Sequence, residues 1–374
     1  PENIPEVRTS AQGWRRQVEK APSGRAPTRA RAAPELAGGA AEGTSSGSRA
    51  ARPHLEKLDM RLEGIHHVTC NTGDARRNVE FYTGALGLRL VAKSVNQDDP
   101  TVYHLFYADE EGHPGADITF FEYPGARRGR AGAGMAHTIV WRAGASAALE
   151  FWARRLASAA VPVERNGARV VFHDPEGLRH AVVVSETRDE PLIAAHPEIP
   201  RAMALQGFEG VRAFSAEPAR SRTLLEEVLG ARPAGESAWE LRGARRGGTI
   251  AYDPPPAARG IPGAGTVHHV AWGTTVAEHP RWLDRLREHG VGSTPVIDRH
   301  YFHSIYFREP SGVLFEIADD GPGFTVNSPV EALGTRIILP PRFEPHRAEI
   351  EARLTPLPDP RAGWGRAAAS TGGA

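Results

Sequence analysis

The chain has 374 residues, a length that suits two or three structural units of ordinary size. Its 45 Lys and Arg residues balance 45 Asp and Glu residues, so it lacks the broad basic field that binds nucleic acid or an anionic membrane. No run reaches the length of a transmembrane helix, and a single cysteine, Cys70, excludes an internal disulfide and a cysteine-based zinc site. We expect a cytoplasmic protein with small-molecule partners, in which His and carboxylate side chains hold any metal.

Both ends of the chain have low complexity. Residues 21–53 consist mainly of Ala, Gly, Arg, Pro and Ser, and they cannot bury enough apolar surface to offset the entropy of ordering. We therefore expect residues 1–60 to form a disordered N-terminal extension. The prolines that follow residue 339 predict an irregular C-terminal tail over 340–374.

A unit of the order β-α-β-β-β recurs four times between these ends. In the first unit, apolar patterns and turn residues predict strands at 65–72, 89–94, 101–107 and 117–122, with a helix between the first two. The same order predicts modules at 62–125, 134–187, 207–253 and 264–325. Two such modules that join their sheets form a half-barrel cup with a pocket. The predicted fold class is therefore α+β, with four tandem modules that pair into two cups.

Two of the four modules open with a pair of histidines. His66-His67 begins the first module and His268-His269 begins the fourth, whereas modules two and three lack the pair. Because successive side chains of a strand point to opposite faces, one His of each pair can face the cup. The repeated pair therefore indicates that two imidazoles meet in one pocket.

An acid inside an apolar strand supplies a third candidate ligand. Glu316 lies within Val313–Ala318, and a buried carboxylate is normally paired, hydrogen-bonded or bound to a metal. At the matching positions of the other modules we align Thr119, Ala181 and Ile250, none of which is a good metal ligand. Two imidazoles and one carboxylate form the facial triad typical of non-haem Fe(II) oxygenases, although spacing alone leaves zinc and manganese open.

Three segments carry a resemblance to a known family. The His-His-Val-Thr opening and the segments 78–88 and 301–324 resemble the vicinal-oxygen-chelate superfamily of glyoxalases, bleomycin resistance proteins and extradiol dioxygenases. More narrowly, they are similar to its ring-cleaving dioxygenases that act on hydroquinones. The resemblance implies that His67, His269 and Glu316 bind Fe(II), with Mn(II) as an alternative.

The same resemblance implies roles for four further residues. His66 and His268 would support the metal ligands or the substrate. Tyr306 would act as an acid-base group, since a phenol beside a bound oxygen can pass a proton. Arg299 would hold a phenolate or a developing carboxylate through charge-assisted hydrogen bonds. Modules two and three carry no ligands, so their cup is expected to be structural.

These observations favour a non-haem iron, extradiol-type ring-cleaving dioxygenase whose partners are dioxygen and a hydroquinone or related dihydroxylated aromatic. Two alternatives on the same fold stay open. A glyoxalase-like, metal-dependent isomerase or thiol transferase would need more carboxylate ligands than the first module supplies. A non-catalytic protein that binds an aromatic or drug molecule would need no triad. The sequence is compatible with a homo-oligomer and leaves the ring substituents open.

Overall fold

The computed structural model describes residues 60–362 and residue 364. The disordered extension was predicted over residues 1–60. Residues 1–59 lie outside the described residues, whereas Met60 is buried in the core, so the prediction is wrong for this residue. Among the described residues, no helix is long and apolar enough to cross a membrane.

Each predicted module contains a strand, a helical segment and three further strands. Module 1 comprises β1 (Ile65–Thr72), α1 (Ala75–Val79), a π-helical turn (Glu80–Ala85), β2 (Arg89–Asn96), β3 (Asp99–Ala108) and β4 (Asp117–Glu122). Module 2 comprises β5 (Ala136–Ala143), α2 (Ser146–Ser158), β6 (Val163–Asn166), β7 (Arg169–His173) and β8 (Arg179–Val184). Module 3 comprises β9 (Phe208–Phe214), a 3-10 turn (Pro218–Ser221), a π-helical turn (Leu224–Val228), β10 (Arg232–Gly235), β11 (Ala238–Arg242) and β12 (Gly247–Asp253). Module 4 comprises β13 (Thr266–Thr274), α3 (His279–Glu288), β14 (Ile297–Asp298), β15 (His303–Arg308) and β16 (Leu314–Asp319).

The modules pair into two eight-stranded sheets. Modules 1 and 4 share the sheet β14-β15-β16-β13-β1-β4-β3-β2, and modules 2 and 3 share the sheet β10-β11-β12-β9-β5-β8-β7-β6. In each sheet the first strands of the two modules are antiparallel neighbours at the centre, β1 with β13 and β5 with β9. The predicted α+β fold with two paired sheets is confirmed, and the modules that carry the His-His pairs are partners.

One continuous hydrophobic core joins the four modules. The helical segment of module 1 lies against module 2, where the Tyr82 hydroxyl donates to Asp174 and the Arg155 guanidinium donates to the carbonyl oxygen of Ala85. The same arrangement recurs between modules 3 and 4, because Arg285 of α3 donates to the carbonyl oxygen of Val228. These contacts fix the two sheets to each other and leave the opposite face of the first sheet to form the candidate site.

The module 1 helix and the C-terminal tail are among the segments that differ from the sequence prediction. The module 1 helix, predicted as one regular helix, widens after Val79 into a π-helical turn in which the Leu86 N–H donates to the Phe81 carbonyl. The tail predicted to be irregular contains a 3-10 turn (Pro341–His346) and α4 (Arg347–Glu351). Proline is tolerated in the first turn of a helix, and burial of Ile350 in the core favours order here.

Candidate metal centre

Strand register brings three polar side chains to one face of the first sheet. In the antiparallel pair β1 and β13, His67 lies opposite Ala271 and Thr69 lies opposite His269. In the parallel pair β13 and β16, Ala271 lies opposite Glu316. Because paired residues share a face and the strand period is two, His67, His269 and Glu316 point to the same side.

The ligand atoms of these three residues converge. The Glu316 Oε2 atom lies 2.8 Å from His269 Nε2 and 3.2 Å from His67 Nε2, and the two Nε2 atoms lie 3.2 Å apart. All three residues are buried, Glu316 completely. They form the one group of at least three potential ligand residues with this proximity in the part of the chain that the structure describes.

The donor set fits a divalent metal ion. Glu316 Oε1 accepts a hydrogen bond of 2.5 Å from the Ser304 hydroxyl, whereas the buried Oε2 atom has no hydrogen-bond partner among the described residues. Three ligand atoms about 2.1 Å from one ion, at right angles to one another, would be separated by about 3.0 Å. The observed separations of 2.8 and 3.2 Å lie on either side of that value. Two imidazoles and a carboxylate on one side of an ion leave its other positions open.

Hydrogen bonds fix the tautomer of His67. His66 Nε2 lies 3.0 Å from the carbonyl oxygen of Asp319, which can only accept, so this nitrogen carries the proton. Burial is the largest of the effects that lower the pKa of His66 to about 3, so the ring is neutral and its Nδ1 atom is an acceptor. The His67 Nδ1 atom, 2.9 Å away, must therefore donate. In the neutral ring this places the lone pair on Nε2, the atom of His67 that faces His269 and Glu316.

His268 occupies a similar but less constrained position. Its Nδ1 atom lies 2.8 Å from His269 Nδ1, and its ring meets Phe121 edge to face at 5.6 Å. Unlike His66, the partly exposed His268 makes no hydrogen bond from Nε2 to the described residues, so no protein group fixes its tautomer.

The carboxylate of Glu316 is stabilised in its charged form. Burial alone raises the pKa of this carboxyl, but the nearby imidazoles of His67 and His269 lower it well below its usual range. Burial lowers the pKa of His269, which keeps that ring neutral. Metal binding requires a charged carboxylate and a ring nitrogen without a proton on each histidine.

Arg299 and Tyr306 lie together beside the three ligands. The Arg299 Nε–H donates to the Tyr306 hydroxyl at 3.2 Å, and a second guanidinium nitrogen donates to Asp98 at 3.3 Å. Tyr306 is opposite Glu316 in the β15 and β16 register, and its ring lies 5.5 Å from that of His269. Burial raises the pKa of the Tyr306 hydroxyl, so the phenol keeps its proton.

Asp117 is a site residue that sequence reasoning missed. It lies opposite His67 in the β1 and β4 register, and both of its buried carboxylate oxygens lack a hydrogen-bond partner among the described residues. Burial raises the pKa of this carboxyl to about 7, although His67 has the opposite effect. The available signal was an acid beside apolar residues, as for Glu316, because Asp117 is followed by Ile118 and, after Thr119, by Phe120 and Phe121.

A second cluster of buried apolar side chains covers the same face. The Phe302 ring lies 4.9 Å from the His67 ring, and Tyr301 packs against Phe324 at 4.7 Å and against Phe106 at 5.6 Å. The Tyr301 hydroxyl is buried without a partner among the described residues. The surroundings of the three ligands are therefore aromatic, with isolated polar groups, as in sites for small organic molecules.

The second sheet has no such ligand set at the equivalent positions. The register of β5, β9 and β12 places Thr138, Gly210 and Ala251 where the first sheet has His67, His269 and Glu316. The alignment of Ile250 with Glu316 was therefore wrong by one residue, because Arg212, the equivalent of Ala271, pairs with Ala251. None of these three side chains is a typical metal ligand.

Comparisons with known proteins agree with this architecture. The sequence profile of the glyoxalase/bleomycin resistance protein/dioxygenase superfamily matches residues 64–182 and 208–317. MhqO of Bacillus subtilis (strain 168), a proposed ring-cleaving dioxygenase, is 40% identical over 308 residues, which cover 80% of this chain and 98% of MhqO. The chlorohydroquinone/hydroquinone 1,2-dioxygenase of Sphingobium indicum is 31% identical over 315 residues, 79% of this chain and 97% of that enzyme. The crystal structure of a proposed dioxygenase from Bacillus subtilis superposes with a TM-score of 0.75 at 39% identity, covering 80% of this chain and 99% of that one.

Proposed function

This chain belongs to the glyoxalase/bleomycin resistance protein/dioxygenase superfamily, and we propose that it is an Fe(II)-dependent dioxygenase that opens the ring of a hydroquinone. The observation that carries this proposal is the convergence of His67, His269 and Glu316 within 3.2 Å of one another beneath an aromatic cover. The relatives named as ring-cleaving dioxygenases support the reaction class, and the one named for hydroquinone supports the substrate class.

The reaction consumes dioxygen and needs no other oxidant. One ring carbon–carbon bond breaks, between the carbon that bears a hydroxyl and its unsubstituted neighbour. Each of the two carbons gains one oxygen atom, so the first becomes a carboxyl group and the second an aldehyde. The aromatic ring is oxidised and dioxygen is reduced, with all atoms kept in one product.

Three residues would hold the ion. His67 and His269 would bind through Nε2 and Glu316 through Oε2, which are the atoms that already face one another. When bound, Fe(II) would supply a Lewis acid that orients a substrate oxygen and a one-electron centre that activates dioxygen. Mn(II) prefers similar ligands and is the alternative ion.

Arg299 would stabilise a negatively charged oxygen, and Tyr306 would donate a proton to an oxygen of the substrate. Because the Tyr306 hydroxyl accepts from Arg299, its own proton stays free to be donated to an oxygen of the substrate. The charged guanidinium of Arg299 would stabilise a phenolate or the carboxylate of the product. His66 would hold the His67 ring in the tautomer that binds metal, and His268 would support His269 more weakly.

The remaining groups of the site would recognise the ring. Phe106, Tyr301, Phe302 and Phe324 would contact the substrate ring and exclude water from it. Asp117 would accept a hydrogen bond from a substrate hydroxyl, which would satisfy its unpartnered oxygens.

Oxygen uptake by anaerobically purified and iron-loaded protein tests the proposal. We expect uptake with hydroquinone, one dioxygen per ring opened, and a product that contains both atoms of isotopically labelled dioxygen. Catechol tests whether a ring with adjacent hydroxyls is also opened, and the hemithioacetal of methylglyoxal and glutathione tests the glyoxalase alternative. Turnover of the hemithioacetal without oxygen uptake on any dihydroxylated ring would contradict the proposal.

A further inference from the structure

The turn between β14 and β15 contains a strained residue beside the candidate site. The Arg299 N–H donates to the Phe302 carbonyl at 2.9 Å, and the two strands pair directly outside this bond, so His300 and Tyr301 form a two-residue hairpin loop. His300 has a φ of +77°, whereas the φ of Tyr301 is not positive. A positive φ confined to the first central residue is the pattern of a type II′ turn, in which glycine is preferred at that position.

The His300 side chain joins this turn to the segment that follows β16. Its Nε2 atom lies 2.5 Å from Oδ1 of Asn327 and donates to it, because an amide oxygen can only accept. A backbone bond of 2.8 Å, from the Gly323 N–H to the Tyr301 carbonyl, connects the same two segments. Arg336 holds Asn327 in turn, since it donates to the Asn327 carbonyl oxygen at 2.9 Å. A glycine in place of His300 would relieve the strain but would lose the bond to Asn327.

Both of the joined segments carry residues of the aromatic cover. The turn carries Phe302, whose ring lies 4.9 Å from the His67 ring, and Tyr301. The segment after β16 carries Phe324, whose ring lies 4.7 Å from that of Tyr301. The bond between His300 and Asn327 therefore connects the two parts of this cover.

The same turn sets the position of the Arg299 guanidinium. Its side-chain hydrogen bonds are 3.2 Å to the Tyr306 hydroxyl and 3.3 Å to the exposed carboxylate of Asp98. A charge-assisted bond to a carboxylate is ordinarily about 2.7–2.9 Å long, and exposed ion pairs contribute little. The direction of Arg299 therefore depends strongly on the backbone of the turn.

We propose that His300 is a positioning residue for the candidate site. Its bond to Asn327 holds the turn in the conformation that directs Arg299 towards Tyr306 and keeps Tyr301 against Phe324. A non-glycine residue with a positive φ persists where the surrounding structure enforces it, and such strain clusters at functional sites. The effect on turnover rests on the proposed function, whereas the effect on the turn does not.

Hydrogen exchange of the metal-free full chain tests the bond without catalysis. We expect His300→Gly and Asn327→Leu to lower the protection of the Arg299 and Gly323 amides at least about tenfold, because each variant removes one hydrogen bond between the two segments. Asn327→Asp keeps an acceptor oxygen, so its protection should stay within about threefold of the wild type.

Ala160→Gly is the matched control for the strain. Ala160 is the other non-glycine residue with a positive φ, +57°, among the described residues, and it is exposed after α2 in module 2. Its replacement by glycine relieves the same kind of strain far from the turn. Protection of the turn and turnover should both equal those of the wild type in this variant.

Turnover of the iron-loaded variants tests the effect on the site. We expect kcat/KM for hydroquinone to fall about 10–100-fold in His300→Gly and Asn327→Leu, because misplaced groups act poorly on the substrate, and to recover in Asn327→Asp. In His300→Gly the relief of strain offsets the lost bond, so the melting temperature should stay within about 2 °C of the wild type. A merely structural residue would lower the melting temperature and leave kcat/KM unchanged.

Unchanged protection in both His300→Gly and Asn327→Leu would overturn the proposal, and so would lower protection with the kcat/KM of the wild type. If His300→Gly fails to fold, Asn327→Leu and Asn327→Asp supply the same comparison. If the wild type does not consume oxygen with hydroquinone, the proposed function fails, and the exchange data still decide whether the bond holds the turn.

Discussion

Replacing His66 with Phe should weaken metal binding although His66 does not touch the ion. The Phe ring keeps the contact with Phe302, whose ring lies 5.1 Å away, but it removes both nitrogens. The His67 Nδ1–H then loses its acceptor and the Asp319 carbonyl loses its donor. His67 becomes free to rotate or to adopt the other tautomer, in which Nε2 carries a proton and cannot bind metal.

The expected loss follows from these two hydrogen bonds. Removing a group that orients a metal-bound imidazole typically weakens metal affinity about 10–100-fold. At about 1.36 kcal/mol per tenfold change, this loss corresponds to about 1.4–2.7 kcal/mol. The burial of His66, at 4% exposure, favours the upper part of this range, since water cannot replace the missing acceptor easily.

His268→Phe is the matched control. His268 contacts His269 in the same way at 2.8 Å, but it is partly exposed and lacks an anchor such as the Asp319 carbonyl. We expect a loss of less than about fivefold, since water can take the place of this acceptor. Anaerobic competition with a chromophoric chelator measures the Fe(II) affinity, and thermal unfolding of the metal-free proteins checks the fold. Equal losses in both variants, or His66→Phe within about threefold of the wild type, would refute the tautomer argument.

Three further predictions concern the substrate, the proton and the fold. Tyr306→Phe should retain metal and lower kcat about 10²–10⁴-fold with little change in KM, and turnover within about twofold of the wild type would remove Tyr306 from the mechanism. Asp117→Leu should retain metal and raise the KM for hydroquinone about tenfold, without loss of stability, because it removes an unpartnered buried carboxyl. Burial lowers the pKa of His180 to about 3, so the free energy of unfolding should fall as pH drops from about 6.5 towards 3, by about 2 kcal/mol from this residue at pH 5. Chemical unfolding of wild type and His180→Gln across that range should show a flatter profile for the variant.

Hydrophobic patterning predicted the buried strands well and missed the exposed ones. The predicted bounds 65–72 and 117–122 agree with β1 and β4, whose residues are almost all buried. The strands β6, β10 and β14 lie at or beside sheet edges and are largely exposed, so they carry no apolar alternation to read.

The candidate site could be predicted in part, because it also lies on buried strands with a clear apolar pattern. The repeated His-His pair predicted one ligand from each pair, and the acid that interrupts an apolar strand predicted Glu316. The choice of His67 and His269 within the pairs came from the family resemblance. Their convergence depends on which modules pair, and that pairing follows from contacts between residues about 200 positions apart, such as His67 and His269. The hydrogen bond between His66 and the backbone carbonyl of Asp319 could not be predicted, since no sequence pattern marks a backbone acceptor.

Metal content measured beside ring-opening activity tests the central claim most directly. The wild type and two single variants, Glu316→Ala and Glu122→Ala, are loaded with Fe(II) under the same anaerobic conditions and desalted. Glu122 is the matched control, because its carboxylate accepts a 3.0 Å bond from the Ala75 N–H at the start of α1 and belongs to no group of potential metal ligands among the described residues. We expect about one ion per chain in the wild type and in Glu122→Ala, and almost none in Glu316→Ala, with oxygen uptake on hydroquinone lost only in the latter. Full metal occupancy and oxygen uptake in Glu316→Ala would contradict a metal site built on this carboxylate.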